Sequence, residues 1–304
     1  MSTNSLWVEM FRPTTLENYI GNEHLKEKVQ RYIDTQDVPH LLFYGRAGTG
    51  KTTLAKIIAN SVDADIMYIN ASDENNVETV RTKVKGFAST IGFKKWKIII
   101  LDESDYITSN GQAALRNLME TFSKNTRFVL TCNYVEKIID PIQSRCQTFE
   151  IHPPSKIDVA KRIVQIMKEL DVEFTNQDLA HIINLTYPDI RRVLNSCQRS
   201  VIDGVLQVTS TDVVRSSYID DIIEELKAKG NAKDKFQNIR KIIADSKVRD
   251  FTSLYKELYD KVEDYSKDIP ASILTIAEHQ INDVHIVDKE INVAAMLLKI
   301  IEQK

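Results

Sequence analysis

Pro39-His40-Leu41-Leu42-Phe43-Tyr44-Gly45-Arg46-Ala47-Gly48-Thr49-Gly50-Lys51-Thr52 runs from a short apolar segment into a glycine-rich loop closed by lysine and threonine. Gly45 to Thr52 fits the pattern GxxxxGK[ST], and the flanking residues decide how to read it. His40 to Tyr44 has the length and composition of a strand, and Thr52 to Asn60 reads as a helix. A strand, a glycine-rich turn and a helix N-terminus in that order form a cradle for phosphate. Its backbone N–H groups turn inward, and the helix dipole favours an anion. A chance glycine-rich turn would lack these flanks. Lys51 is expected to reach the β- and γ-phosphates of ATP, and the Thr52 hydroxyl to ligate Mg²⁺.

About fifty residues further on, Ile98-Ile99-Ile100-Leu101 leads into Asp102-Glu103-Ser104-Asp105. A buried strand ending in carboxylates places acids at the carboxyl edge of a sheet, beside the phosphate loop. Asp102 is expected to hold Mg²⁺, largely through water. Glu103 is expected to take a proton from, or orient, an attacking water, which makes the site an ATPase rather than a kinase. Further strands are expected at Asp65 to Asn70, Arg127 to Thr131 and Thr148 to Ile151, with helices such as Lys51 to Ser61 and Gly111 to Phe122 between them. That alternation predicts an α/β fold, a mostly parallel sheet with helices on both faces.

His152-Pro153-Pro154-Ser155 ends the alternation, and almost no strand signal follows. The expected division is a nucleotide-binding domain over 1–153, a small helical lid over 154–218 and an all-helical domain over 219–304. In the last helix Val287, Ile291, Ala294, Leu298 and Ile301 form one apolar stripe. Packing within its own domain is the first reading of that stripe, and a subunit contact the second.

The apolar content of 42% is enough for a sizeable core, yet no apolar run approaches the ~20 residues of a membrane span. The N-terminus lacks the basic start and apolar stretch of a signal peptide, so a cytoplasmic location is expected. Cys132, Cys146 and Cys197 are too scattered for a zinc site or disulfide framework, and read as small buried thiols. A net charge of −3 means that any nucleic acid must be held by a local basic face.

Several further segments resemble one family. Trp7-Val8-Glu9-Met10-Phe11-Arg12-Pro13 is similar to the opening of replication factor C small subunits, and Gly21-Asn22-Glu23 continues the likeness. Leu130-Thr131-Cys132-Asn133-Tyr134 resembles the sensor 1 strand of AAA+ ATPases. Ser144-Arg145-Cys146 matches the triplet that marks clamp-loader subunits within AAA+, and Pro188-Asp189-Ile190-Arg191-Arg192 resembles sensor 2. Two departures stand out: Ser104 replaces the usual Ala, and Tyr187-Pro188-Asp189 is closer to the T4-type phage clamp loader than to the cellular Gly-Asp.

The resemblance implies a clamp-loader ATPase of DNA replication, with the final domain serving as an oligomerisation collar. Its partners are a ring of other subunits including a distinct large one, a sliding clamp, and primer–template DNA held without regard to sequence. The nucleotide would be held by Gly45, Arg46, Ala47, Gly48, Thr49, Gly50, Lys51, Thr52 and Thr53, together with Arg12 and Arg191. Asn133 would sense the γ-phosphate or the attacking water, and Arg191 would carry nucleotide state into the lid. Arg145 would complete a neighbouring subunit's site in trans as an arginine finger, a role suited to its planar permanent charge.

Arg81 and Lys85, four apart on a helix beginning near Asn75, and Arg116 on the helix after Ser109 are the expected DNA-phosphate contacts. A merely solvated basic face is the alternative. Gln112 fits a capping box begun by Ser109, with a relay from DNA to Glu103 as the second reading. A different AAA+ motor, such as a helicase loader or branch-migration ATPase, is the rival to clamp loading.

Overall fold

Ile98 to Leu101 are all buried, and alternate residues enter two different apolar clusters. That is how a strand covered on both faces behaves. The computed structural model describes residues 6–73, 77–207, 210–246, 248 and 250–303, with the backbone alone at 77–80 and 210–217. β1 (Leu41–Tyr44), β2 (Ala64–Asn70), β3 (Trp96–Asp102), β4 (Thr126–Cys132) and β5 (Gln147–Glu150) form one sheet in the order β2-β3-β4-β1-β5. Every pairing is parallel. Each strand lies within two residues of its expected ends.

The helices of this region are α1 (Trp7–Met10), α2 (Glu23–Thr35), α3 (Lys51–Ser61), α4 (Val77–Ser89), α5 (Ser109–Thr121) and α6 (Asp140–Gln143). Leu25 and Val29 of α2 and Leu54, Ile57 and Ile58 of α3 cover Leu41, Phe43, Ile98 and Ile100. Val84 of α4, Leu115 and Met119 of α5 and Ile142 of α6 cover Leu42, Ile99, Leu101, Phe128 and Leu130 on the opposite face. The sheet is thus sealed on both sides, and its C-terminal edge is left for chemistry.

The chain divides into two compact units, 1–207 and 208–304. The first also holds α7 (Lys156–Glu169), α8 (Asn176–Thr186), α9 (Ile190–Ser200) and a hairpin of two-residue strands, β6 (Val201–Ile202) and β7 (Val205–Leu206). Ser155, Thr175 and Asp189 cap these helices through their side chains. The stretch 154–207 lies in the same unit as the sheet, and the second unit covers 208–304.

The second unit contains α10 (Ser210–Lys227), α11 (Ala232–Ser246), α12 (Thr252–Asp260), α13 (Val262–Tyr265), α14 (Ile269–Asn282) and α15 (Lys289–Glu302) around its own core. Here the first reading of the last stripe is corrected. The buried face of α15 is Asn292, Val293, Met296, Leu297, Ile300 and Ile301. Val287 precedes the helix and is 103% exposed, while Ile291 and Leu298 are also exposed. The helix is apolar on more than one side, so a four-and-three count selected the wrong one.

Gln112 needs a correction too. α5 is capped by Thr108, whose hydroxyl accepts from Gly111 N, so Ser109 already lies inside the first turn. Gln112 is buried and bridges loops: Nε2 donates to Ile107 O (3.0 Å) and Lys137 O (2.9 Å), and Oε1 accepts from Ile139 N (2.8 Å). Among the described residues, no helix is long and apolar enough to cross a membrane.

Candidate active site

The strand order sets the C-terminal ends of β3, β4 and β1 side by side. Each delivers one part of the site: the acids after β3, Asn133 after β4 and the phosphate loop after β1. The loop passes directly into α3, whose first residue is Lys51. Gly48 has φ +74°, and an added Cβ would lie 1.9 Å from Asp189 Oδ1. Only glycine lets the loop pass so close to the cap of α9. A backbone bond from Ile190 N to Gly48 O (3.2 Å) ties the same two segments.

Lys51 is only 8% exposed. Its ammonium donates to Gly45 O (2.9 Å), Arg46 O (2.8 Å) and Asn133 Oδ1 (2.9 Å), which occupies all three of its hydrogens. Burial lowers its pKa from the ordinary value, and the neighbouring Cys132, Asp102 and Asp105 groups oppose that shift. Asn133 is held in turn by its backbone N–H, which donates to Asp105 Oδ2 (3.3 Å).

Asp102 collects three hydroxyls. Thr52 Oγ1 donates to Oδ1 (2.7 Å), Thr131 Oγ1 donates to the same oxygen, and Tyr68 donates to Oδ2 (2.7 Å). Burial, followed by the bond to Asp102, raises the Tyr68 phenol well above its usual range, so it remains a donor. Glu103 follows in the left-handed region, φ +55° and ψ +43°, with its N–H on Thr131 Oγ1 (3.1 Å). Hard oxygen donors at Thr52 and Asp102, set against a phosphate cradle, are the donor set that Mg²⁺ prefers.

These groups line one open cleft. Ala47 to Thr53, Asp102, Glu103, Asn133, Arg12 and Arg191 all face it, and Val8, Phe11, Tyr19, Ile163 and Leu194 supply apolar wall. Gly45 and Arg46 contribute through the carbonyls that hold Lys51. Arg12 Nη2 pairs with Glu9 Oε1 (2.5 Å), and its buried Nε has no hydrogen-bond partner among the described residues.

Residues 41–153 match the model of the AAA family, the ATPase family associated with various cellular activities. The replication factor C small subunit of Sulfurisphaera tokodaii is 33% identical to this chain, across 97% of it and 94% of the relative. The chain belongs to the replication factor C small subunit family. The family's small subunit from Haloarcula marismortui is 41% identical over 68% of this chain and 67% of its own. Among solved structures, a RuvB variant of Thermotoga maritima aligns with a TM-score of 0.58 at 16% identity. That alignment covers 94% of this chain and 91% of RuvB, and it bears on the fold alone. As a member of this family, the chain is an AAA+ ATPase of the clamp-loading machinery in DNA replication.

Arg145 is not among the residues that line this cleft. It pairs with Glu120 on α5 and donates to Pro141 O (2.6 Å). Arg81 and Lys85 are exposed on α4, and Arg116 lies half-buried on the adjoining α5, where it bonds Asn117 Oδ1 (2.9 Å). Asn75, the expected start of α4, lies outside the described residues. Sequence reasoning missed Tyr68 and Thr131. They sit 34 and 29 residues from Asp102, in strands whose composition signals only burial.

Proposed function

We propose that this subunit uses ATP hydrolysis to open a ring-shaped clamp and set it on primer–template DNA. The observation that carries the reading is the convergence of Lys51, Thr52, Asp102, Glu103 and Asn133 on one cleft at the sheet's C-terminal edge. In the reaction a water attacks the γ-phosphorus, the bond to the β-phosphate oxygen breaks, and ADP and phosphate leave. Glu103 accepts the water's proton or orients it. Lys51 exchanges its loop carbonyls and Asn133 for phosphate oxygens, and Asn133, released from Lys51, turns to the γ-phosphate or the water. Mg²⁺, held at Thr52 and Asp102, supplies charge neutralisation on the phosphates when bound. Arg12 and Arg191 contact the nucleotide, and Arg191 couples it to α9 as the lid element.

The ring reading draws support from two features. Arg145 is absent from the lining of its own cleft, as a finger serving a neighbour must be. Ile281, Val284, Val287 and Ile291 are large apolar side chains exposed within an eleven-residue stretch of the second unit, the proposed collar. Ile91 and Phe93, 96% and 100% exposed between α4 and β3, form an apolar pair suited to docking on the clamp. Arg81, Lys85 and Arg116 lie on two packed helices and suit DNA phosphates. The three-part division into nucleotide domain, lid and collar, and a cytoplasmic site of action, complete the proposal.

The test is the ATPase rate of the full chain with its partner subunits, with and without primed DNA and clamp. Lys51→Ala is expected to lose nucleotide binding or hydrolysis. Glu103→Gln is expected to bind ATP and turn it over at less than about 1% of the parent rate, as loss of a general base typically costs 10²–10⁴. Hydrolysis by Glu103→Gln at the parent rate would remove Glu103 from its role.

A further inference from the structure

An ionised carboxylate has about four acceptor sites, two on each oxygen. In Asp102 both sites of Oδ1 are taken, by Thr52 and Thr131, and one site of Oδ2 is taken by Tyr68. Thr52 can ligate the metal through an oxygen lone pair while its O–H stays on Oδ1, so Oδ1 keeps Thr52 and Thr131 and Oδ2 keeps Tyr68. The one free site is then on Oδ2, the oxygen that Tyr68 holds, and the carboxylate plane is pinned from both sides. Thr131 comes from β4, next to β3 in the sheet. Tyr68 comes from β2, on the other side of β3. The two hydroxyls thus hold Asp102 like the two ends of a bracket.

Tyr68 is a poor candidate for a purely structural part. It is 44% exposed, and it is absent from the apolar clusters on both faces of the sheet. Its ring is already occupied by Lys56 of α3, whose Nζ lies 4.6 Å from the ring centroid. That cation–π contact involves the ring face and makes no use of the hydroxyl. What the hydroxyl adds is a charge-assisted bond to the acid at the metal site.

We propose that Tyr68 is a positioning residue of the metal site, its hydroxyl on Asp102 Oδ2 setting the orientation in which that carboxylate serves Mg²⁺. The inference rests on the assignment of Mg²⁺ to Thr52 and Asp102. Outer partners of this kind typically change metal affinity by 10–100-fold when removed. Tyr68→Phe deletes one oxygen and leaves the ring on Lys56, so the fold is expected to keep its thermal midpoint.

The experiment measures binding of a fluorescent ATP analogue to the full chain, first in EDTA and then across a Mg²⁺ titration. Tyr68→Phe is expected to match the parent within about twofold in EDTA and to need about tenfold more Mg²⁺ for half-maximal tightening. Saturating Mg²⁺ should restore the parent affinity. A titration with Mn²⁺, its bound fraction read by electron paramagnetic resonance, should shift the same way. An unchanged Mg²⁺ midpoint, or an equal loss in EDTA, would overturn the role of Tyr68. A parent chain whose nucleotide affinity ignores Mg²⁺ would instead overturn the metal assignment beneath it.

Discussion

Glu103 shows what a single position can cost. Its φ of +55° puts a non-glycine side chain in the left-handed region, where L-residues lose about 1–2 kcal/mol and asparagine is tolerated. The strained backbone turns the carboxylate out of β3 while its N–H stays on Thr131. Two neutral amides separate that strain from the charge. Glu103→Asn and Glu103→Gln both abolish the base, but only Asn accepts the backbone easily. Glu103→Asn is therefore expected to be more stable than Glu103→Gln by about 1 kcal/mol in urea denaturation. Equal midpoints would mean that the turn stores no such strain. The motif residues themselves were legible in the sequence because phosphate chemistry needs them contiguous: Gly45 to Thr52 after one strand, Asp102 and Glu103 after another. Tyr68 and Thr131 were not, because their role exists only through pairing across β2, β3 and β4, and a strand's alternation does not mark which exposed end meets an acid.

At the scale of elements, β1 and β4 are joined by more than their ladder. His40 Nδ1 accepts from Phe128 N (3.1 Å), which requires a neutral ring. Burial, reinforced by the nearby Arg127, lowers the pKa of His40 to about 4. A histidine depressed on folding takes up its proton more readily when unfolded, so its stabilisation is present above about pH 6.5 and is lost as pH falls toward 4. Denaturation at fixed pH values should show this loss in the parent, and His40→Gln should flatten it.

The second unit poses a different problem. α15 was legible as a helix, but its inward face was not, since apolar residues occupy more than one side and only the neighbours decide between them. Ile291→Asp, on the exposed side, is expected to change the stability of the isolated chain by no more than about 0.5 kcal/mol. Its association with partner subunits, read by analytical ultracentrifugation, should fall. Met296→Ala, on the buried side, should cost about 2–5 kcal/mol of stability.

For the whole molecule, the question is how a chain with a net charge of −3 grips a polyanion. The proposed answer is local: Arg81, Lys85 and Arg116 on adjoining helices, remote in sequence from the nucleotide loop. Replacing all three with alanine is expected to leave basal ATPase near the parent level and to reduce its stimulation by primed DNA. Each lost phosphate contact should flatten the plot of log affinity against log salt by about one unit, equally for any primer sequence. An unchanged slope would return these residues to a solvated face. The uncovered surface formed by Ile281, Val284, Val287 and Ile291 has one more consequence, and it concerns supply rather than mechanism. If this surface is the collar contact proposed above, a subunit made in excess of its companions leaves it exposed, and exposed apolar faces recruit chaperones, proteases or one another. Co-expression with partner subunits is then expected to raise the soluble yield of this chain where a change of temperature or tag does not, and an unchanged yield would count against that contact.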